Sequence, residues 1–186
     1  MEGQKSIAFE LAQTFDWVLP DWIVLPGGAL SNVSALGKGL REMREIGLIQ
    51  RLPRVAVVQA KGASPLADML SRGSKTLVPV SKPSTRASAM RIGAPPSWRK
   101  ALRVLEETNG VAISVSDEEI FTAKVVIDRS GIGCEPASAA SLAGLKQLVA
   151  AGVIHREQSV ICLLTGHMLK DAESLELYWN DGMDAE

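Results

Sequence analysis

The run Pro26-Gly27-Gly28-Ala29-Leu30-Ser31-Asn32 closes a short apolar stretch, Trp22 to Leu25, and opens a helix-period pattern. Val33, Leu36, Leu40, Met43 and Ile46 follow at steps of three and four, and Gly47 suits a C-cap. Strand, glycine turn and helix in that order aim the free N–H groups of a helix N-terminus above the strand end. Such a place binds anions, phosphates above all. Glycine-rich turns of this kind also serve packing alone, so the turn by itself leaves both readings open.

Thr165-Gly166-His167 ends another apolar run, and the Thr165 hydroxyl can meet a ring nitrogen, a phosphate or its own backbone. His167 has no Ser or Cys in a nucleophile-elbow setting with it, so a hydrolytic triad is not supported; its imidazole can instead bond a nearby carbonyl and shape the loop. Glu135 stands beside a helix N-terminus, where the partial positive charge favours a carboxylate. Asp117, Glu118 and Glu119 read as helix-start charges behind Ser116, and Lys61 and Arg91 can each meet an anion or water.

These residues need a frame. A helix over residues 4–15 carries Ile7, Ala8, Leu11 and Phe15 on one face. Strands are expected at Trp22–Leu25, Arg54–Ala60, Val111–Val115 and Ser159–Leu164, and the unalternated Val55-Ala56-Val57-Val58 suits a strand buried on both faces. Between them come a short helix from Pro65, a helix capped by Ser97 that stops at Asn109-Gly110, a helix opened by the Ser116/Glu119 capping box, and one from Pro136 to Gly152. Residues 71–84, with glycine, serines and two prolines, read as a surface connection. Strands alternating with helices predict a single α/β domain over 1–186 with a parallel sheet and helices on both faces. Ligands of such sheets bind beyond the carboxyl ends of the strands. Those ends are Pro26-Gly27-Gly28, Lys61-Gly62, Ser116-Asp117 and Thr165-Gly166-His167, so the site is expected on that edge.

Composition narrows the partners. Of 186 residues 46% are hydrophobic and 22% charged, and the net charge is -1 with both signs mixed, which speaks against nucleic acid and an anionic membrane surface. No apolar run approaches the ~20 residues of a membrane span. Met-Glu-Gly-Gln-Lys lacks a signal-peptide pattern, and Cys134 and Cys162 have neither metal nor disulfide spacing, as expected of a reduced cytoplasmic protein.

Several of these stretches, taken together, resemble threonine synthase, a fold-type II pyridoxal-phosphate enzyme. They are Glu2-Gly3-Gln4-Lys5, the glycine turn through Asn32, Leu52-Pro53-Arg54 with Gln59-Ala60, Ala89-Met90-Arg91-Ile92-Gly93, Cys134-Glu135-Pro136-Ala137-Ser138-Ala139-Ala140, and Leu164-Thr165-Gly166-His167-Met168-Leu169-Lys170-Asp171. The resemblance implies a parallel twisted sheet and conversion of O-phosphohomoserine and water to threonine and phosphate. It places the phosphate of pyridoxal 5'-phosphate on Gly28, Ala29, Leu30, Ser31 and Asn32, Thr165 at the pyridine nitrogen, and Glu135 beside the ring.

Two departures from the family pattern stand out. Ala29 and Ser31 replace an Asn and a Gly of its loop, which keeps the backbone donors and removes a side-chain amide. The Schiff-base lysine segment and the Ser-Gly-Asn substrate loop are not found, and all nine lysines fall in other contexts. The expectation is a C-terminal part of such an enzyme, inactive alone, with a small phosphorylated amino acid as substrate and self-association through its exposed sheet edge. A separate N-terminal chain completing a split enzyme, a non-catalytic phosphate-binding paralogue, and a related activity such as cysteate synthase or threonine dehydratase remain as alternatives.

Overall fold

A computed structural model describes residues 1–172. Four parallel strands, β1 (Trp22–Pro26), β2 (Arg54–Ala60), β3 (Val111–Val115) and β4 (Val160–Cys162), form one sheet in the order β3-β2-β1-β4. Among the described residues six helices accompany them: α1 (Ser6–Thr14), α2 (Ser31–Glu45), α3 (Pro65–Ser71), α4 (Trp98–Glu107), α5 (Asp117–Arg129) and α6 (Pro136–Ala150).

The strands alternate their side chains between two cores. Ile23, Leu25, Val55 and Val57 point to one side and pack with Leu36, Leu40 and Met43 of α2, Leu66 of α3 and Val104 of α4. Trp22, Val24, Ala56 and Val58 point to the other and meet Ile120 and Phe121 of α5 and Ala139, Ala140 and Ala143 of α6. β1 is buried along its whole length and β2 from Val55 onward, which is why their sequences read as continuous apolar runs. The small residues of α6 let that helix lie close over the sheet.

The capping box closes as its spacing predicts: Ser116 Oγ accepts from the Glu119 N–H and Glu119 reaches back to the Ser116 N–H. Three local expectations are corrected. Ser97 stands at the start of α4 without accepting a capping bond. Phe15 lies outside the apolar face of α1, which buries Ala8 and Ala12, because the chain turns through left-handed Asp16 and Trp17 just after it. β4 is shorter than 159–164 because its register against β1 ends at the Val24–Cys162 pair.

Residues 72–84 carry neither helix nor strand, and Leu77 is buried among otherwise exposed or half-buried neighbours. The part of the single-domain expectation over 173–186 lies outside the described residues. Among the described residues no helix is long and apolar enough to cross a membrane.

Candidate functional site

The glycine turn leaves β1 where it is tightly boxed. A Cβ on Gly27 would lie 2.5 Å from Val57 Cγ1, and one on Gly28 would lie 2.6 Å from the Ala89 carbonyl oxygen. Neither position admits a side chain without moving its neighbour. Gln59, fully buried at the end of β2, holds the turn from below. Its Nε2 donates to the Gly27 carbonyl at 3.0 Å, while its Oε1 accepts from the N–H groups of Leu66 and Ala67 at 2.9 and 3.0 Å.

Leu30 then takes the left-handed conformation, φ 62°, and precedes the first turn of α2. That conformation is costly for a branched side chain. Its side chain is buried in the core and its carbonyl accepts from both the N–H and the hydroxyl of Ser34, which offsets the cost. No side chain of the described residues caps α2. Its first N–H groups therefore face the space above β1. Gln4, entering from the start of the chain, donates to Asn32 Oδ1 at 2.9 Å and to Ser31 Oγ at 3.4 Å.

Opposite the turn stands the end of β4. Asp21 ties the starts of β1 and β4 together: its carboxylate accepts from the Ser159 N–H and hydroxyl, each at 2.9 Å, and its own N–H donates to the Ser159 carbonyl. The Ser159 bonds, with Arg51 beside them, hold the Asp21 carboxyl below its ordinary pKa of 3.8. At the far end Gly166 is bracketed by α6. Its carbonyl accepts from the Glu135 N–H at 3.0 Å, and its N–H donates to Ser138 Oγ at 2.9 Å.

Glu135 caps no N–H of α6, is buried to all but 6%, and has its carboxylate over the Gly166 backbone. Its nearest described charge is Lys170, with Nζ 3.7 Å from Oε2.

Turn and strand end face each other across one cleft of about 250 Å³. It is lined by Gly28, Ala29, Leu30, Ser31, Asn32, Glu135 and Thr165, so all seven sequence candidates meet there, with Gln4, Ala89, Met90, Ile92 and Lys170 completing the wall. The sheet order decides which strand ends contribute: β1 and β4 are neighbours and share the cleft. Lys61 and Asp117, at the ends of β2 and beyond β3, do not line it. Asp117 instead accepts from the Thr85 hydroxyl and the Arg86 N–H, and Arg91 donates twice to the Thr85 carbonyl at 2.7 and 2.9 Å, so both shape the wall behind Met90. His167 accepts from the Leu169 N–H at Nδ1, shaping its loop through an N–H where a carbonyl was expected.

Lys170 and Gln4 are the wall residues that motif reading passed over. Both sit inside stretches that carried the family resemblance, which was the available signal. Among the described residues no group of three His, Cys, Asp or Glu is placed to hold a metal ion.

Residues 1–166 match the family described as pyridoxal-phosphate dependent enzyme. Among curated relatives, the threonine synthase of Methanosarcina acetivorans is 46% identical over 176 residues, covering 94% of this chain and 44% of the relative. That of Methanocaldococcus jannaschii is 42% identical, covering 94% and 43%. The chain thus spans less than half the length of these relatives. Among solved structures, a fungal L-serine ammonia-lyase from Rhizomucor miehei superposes with a TM-score of 0.76 at 20% identity, covering 95% of this chain and 56% of that one. The processed form of threonine deaminase isoform 2 from Solanum lycopersicum gives 0.73 at 17% identity, covering 98% and 47%. At these identities the two structures share the fold.

Proposed function

This chain belongs to the pyridoxal-phosphate dependent enzymes, and from that premise we propose that its cleft is the cofactor-cradling part of a threonine-synthase-like site. The reaction proposed is O-phosphohomoserine and water to threonine and phosphate. The observation that carries the reading is the boxed Gly28 beneath an uncapped α2 N-terminus, lining the same cleft as Thr165.

The donor set fits the cofactor. The backbone N–H groups from Ala29 to Asn32, with the α2 dipole behind them, hold a phosphate dianion. The absence of a Cβ at Gly28 leaves the backbone free to approach it. Thr165 would offer a neutral hydroxyl to the ring nitrogen, and Glu135 would lie beside the ring. Pyridoxal 5'-phosphate bound there supplies an electron sink for bond cleavage in an amino acid. Gln4 orients Asn32 toward the turn, and Gln59 keeps the turn from moving as the ligand binds. A related activity on another small amino acid uses the same cradle, and substrate choice rests with groups facing it from outside this chain.

The nucleophilic amine of such enzymes is proposed to come from the remaining part of the enzyme, in the same polypeptide or in a separate chain. The free edge of β4 favours this: among the described strands it pairs with β1 alone, and its end carries Thr165 into the cleft. By itself the chain is expected to bind cofactor and turn nothing over.

Titration with pyridoxal 5'-phosphate and with pyridoxine 5'-phosphate, read by absorbance, tests the cradle. Saturable binding competed by inorganic phosphate and lost in Gly28→Val is the expected result; binding unchanged in Gly28→Val overturns it. Mixing with the N-terminal half of the Methanosarcina acetivorans relative should then release phosphate from O-phosphohomoserine. No release from a mixture that does assemble overturns the assignment of the reaction.

A further inference from the structure

Lys124, on α5, is 1% exposed and ranks among the largest side chains that the fold encloses. An ammonium taken out of water must be paired and hydrogen-bonded to be tolerated. Its Nζ meets Asp128 Oδ2, one turn along the helix, at 2.7 Å, and the Cys134 carbonyl oxygen at 2.7 Å. Asp128 is served less well, since its Oδ1 is buried with no hydrogen-bond partner among the described residues. A pair kept for stability alone gains little this way, because desolvation cancels most of the attraction. The bond that leaves the helix, to Cys134, sets this lysine apart.

The Cys134 carbonyl and the Glu135 N–H belong to one peptide group, and both of its polar atoms are engaged. Lys124 donates to the carbonyl, and the N–H donates to the Gly166 carbonyl at 3.0 Å. The plane of that peptide is therefore fixed from two sides, by α5 and by the loop after β4. Cys134 also stands opposite His167 in an isolated antiparallel bridge, which keeps the two segments in register. Ser130, Gly131 and Ile132 before it are exposed, so the chain returns to the interior at this anchor. Glu135 follows directly and lines the cleft.

We propose that Lys124 is a positioning residue of this cleft: its buried ammonium grips the Cys134–Glu135 peptide and thereby aims Glu135 at a bound ligand. The proposal rests on the reading of the cleft as the cradle of a phosphorylated pyridine. Lys124 itself does not line the cleft and acts through Glu135. Fixing the peptide before the ligand arrives removes an ordering cost from binding. The two bonds of the ammonium thus divide the work. Asp128 makes the buried charge tolerable, and the Cys134 carbonyl turns it into a clamp.

Pyridoxine 5'-phosphate and inorganic phosphate are titrated against the full chain and its variants, with a urea midpoint measured for each. Lys124→Met combined with Asp128→Leu removes both charges and should leave the midpoint near wild type. Its affinity for pyridoxine 5'-phosphate should fall about tenfold, while that for inorganic phosphate, which needs the turn alone, stays unchanged. On a Glu135→Ala background the same two substitutions should cause no further loss. Asp128→Asn keeps the Cys134 bond and should bind as wild type even where its midpoint falls. Equal loss with and without Glu135, or equal loss for both ligands, makes the effect a general loosening and overturns the proposal. Wild-type affinity in the double variant, or as large a loss in Asp128→Asn, overturns it while leaving the cleft reading intact. No binding of pyridoxine 5'-phosphate by the wild-type chain overturns the cleft reading and the proposal with it.

Discussion

Glu135 and Gly166 are joined twice: the Glu135 N–H donates to the Gly166 carbonyl at 3.0 Å, and a Cβ on Gly166 would lie 1.9 Å from Glu135 Oε1. The end of β4 and the start of α6 therefore hold one shape only while residue 166 has no side chain. Gly166→Ala should push the carboxylate out of its buried position. Destabilisation of about 1–3 kcal/mol is expected from the overpacking. Affinity for pyridoxine 5'-phosphate should fall as well, read by urea unfolding and by titration. Gly3→Ala, where nothing lies within 4 Å of the new Cβ, is the matched control.

Gln59 satisfies one carbonyl and two N–H groups in a fully buried place. Gln59→Leu leaves all three without partners and should cost about 3 kcal/mol. Gln59→Glu keeps the acceptor for Leu66 and Ala67 but sets a carboxylate against the Gly27 carbonyl. Its loss should appear more strongly in phosphate-ligand affinity than in the helix content of the folded chain, measured by titration and circular dichroism.

Gly28 is the tightest point of the proposed cradle that touches the ligand side. Gly28→Ala brings a Cβ to 2.6 Å from the Ala89 carbonyl, a backbone atom that cannot swing aside. The turn must shift, and ligand affinity should fall on the order of tenfold, equivalent to about 1.4 kcal/mol. Unchanged affinity would remove the turn from the site.

The two thiols give an alkaline signature. Burial pushes Cys134 and Cys162 from 9.0 up to about 11 in the folded chain. The folded state then holds these protons where the unfolded state has lost them. Their contribution is complete below about pH 9 and is lost as pH rises toward about 11. Urea midpoints should decline across that window. Thiol reagents at neutral pH should label the unfolded chain much faster than the folded one.

At the acid end Asp21 is the marker. Its carboxylate, held low by the Ser159 N–H and hydroxyl, stabilises the fold above the ordinary value of 3.8. That contribution is lost as pH falls through the lower folded value. Asp21→Asn should cost about 1 kcal/mol at most, because solvent screens a partly exposed group, and should flatten the acid limb of the stability curve. Hydrogen exchange should show the loss at β4, which Asp21 pins to β1.

What the sequence alone determined is what depends on neighbours along the chain. The unbroken apolar run of β2, the β3 span Val111–Val115, the Ser116/Glu119 capping box and the helix after the glycine turn all express periodicity or capping within a few residues. The seven site candidates were legible because a glycine turn and a strand-end Thr have local meaning, and because matching stretches recur in one enzyme family. Strand order was not legible. Only the fold decided that β4 lies beside β1, which brings Thr165 and Glu135 to the turn and leaves Lys61 and Asp117 outside the cleft. The three bonds of Gln59, the left-handed Leu30 and the Lys170–Glu135 contact likewise join residues or forces that no local window contains. Helices and turns are chosen by short-range sterics and hydrogen bonds, whereas a site is chosen by which strand ends the packed sheet sets side by side.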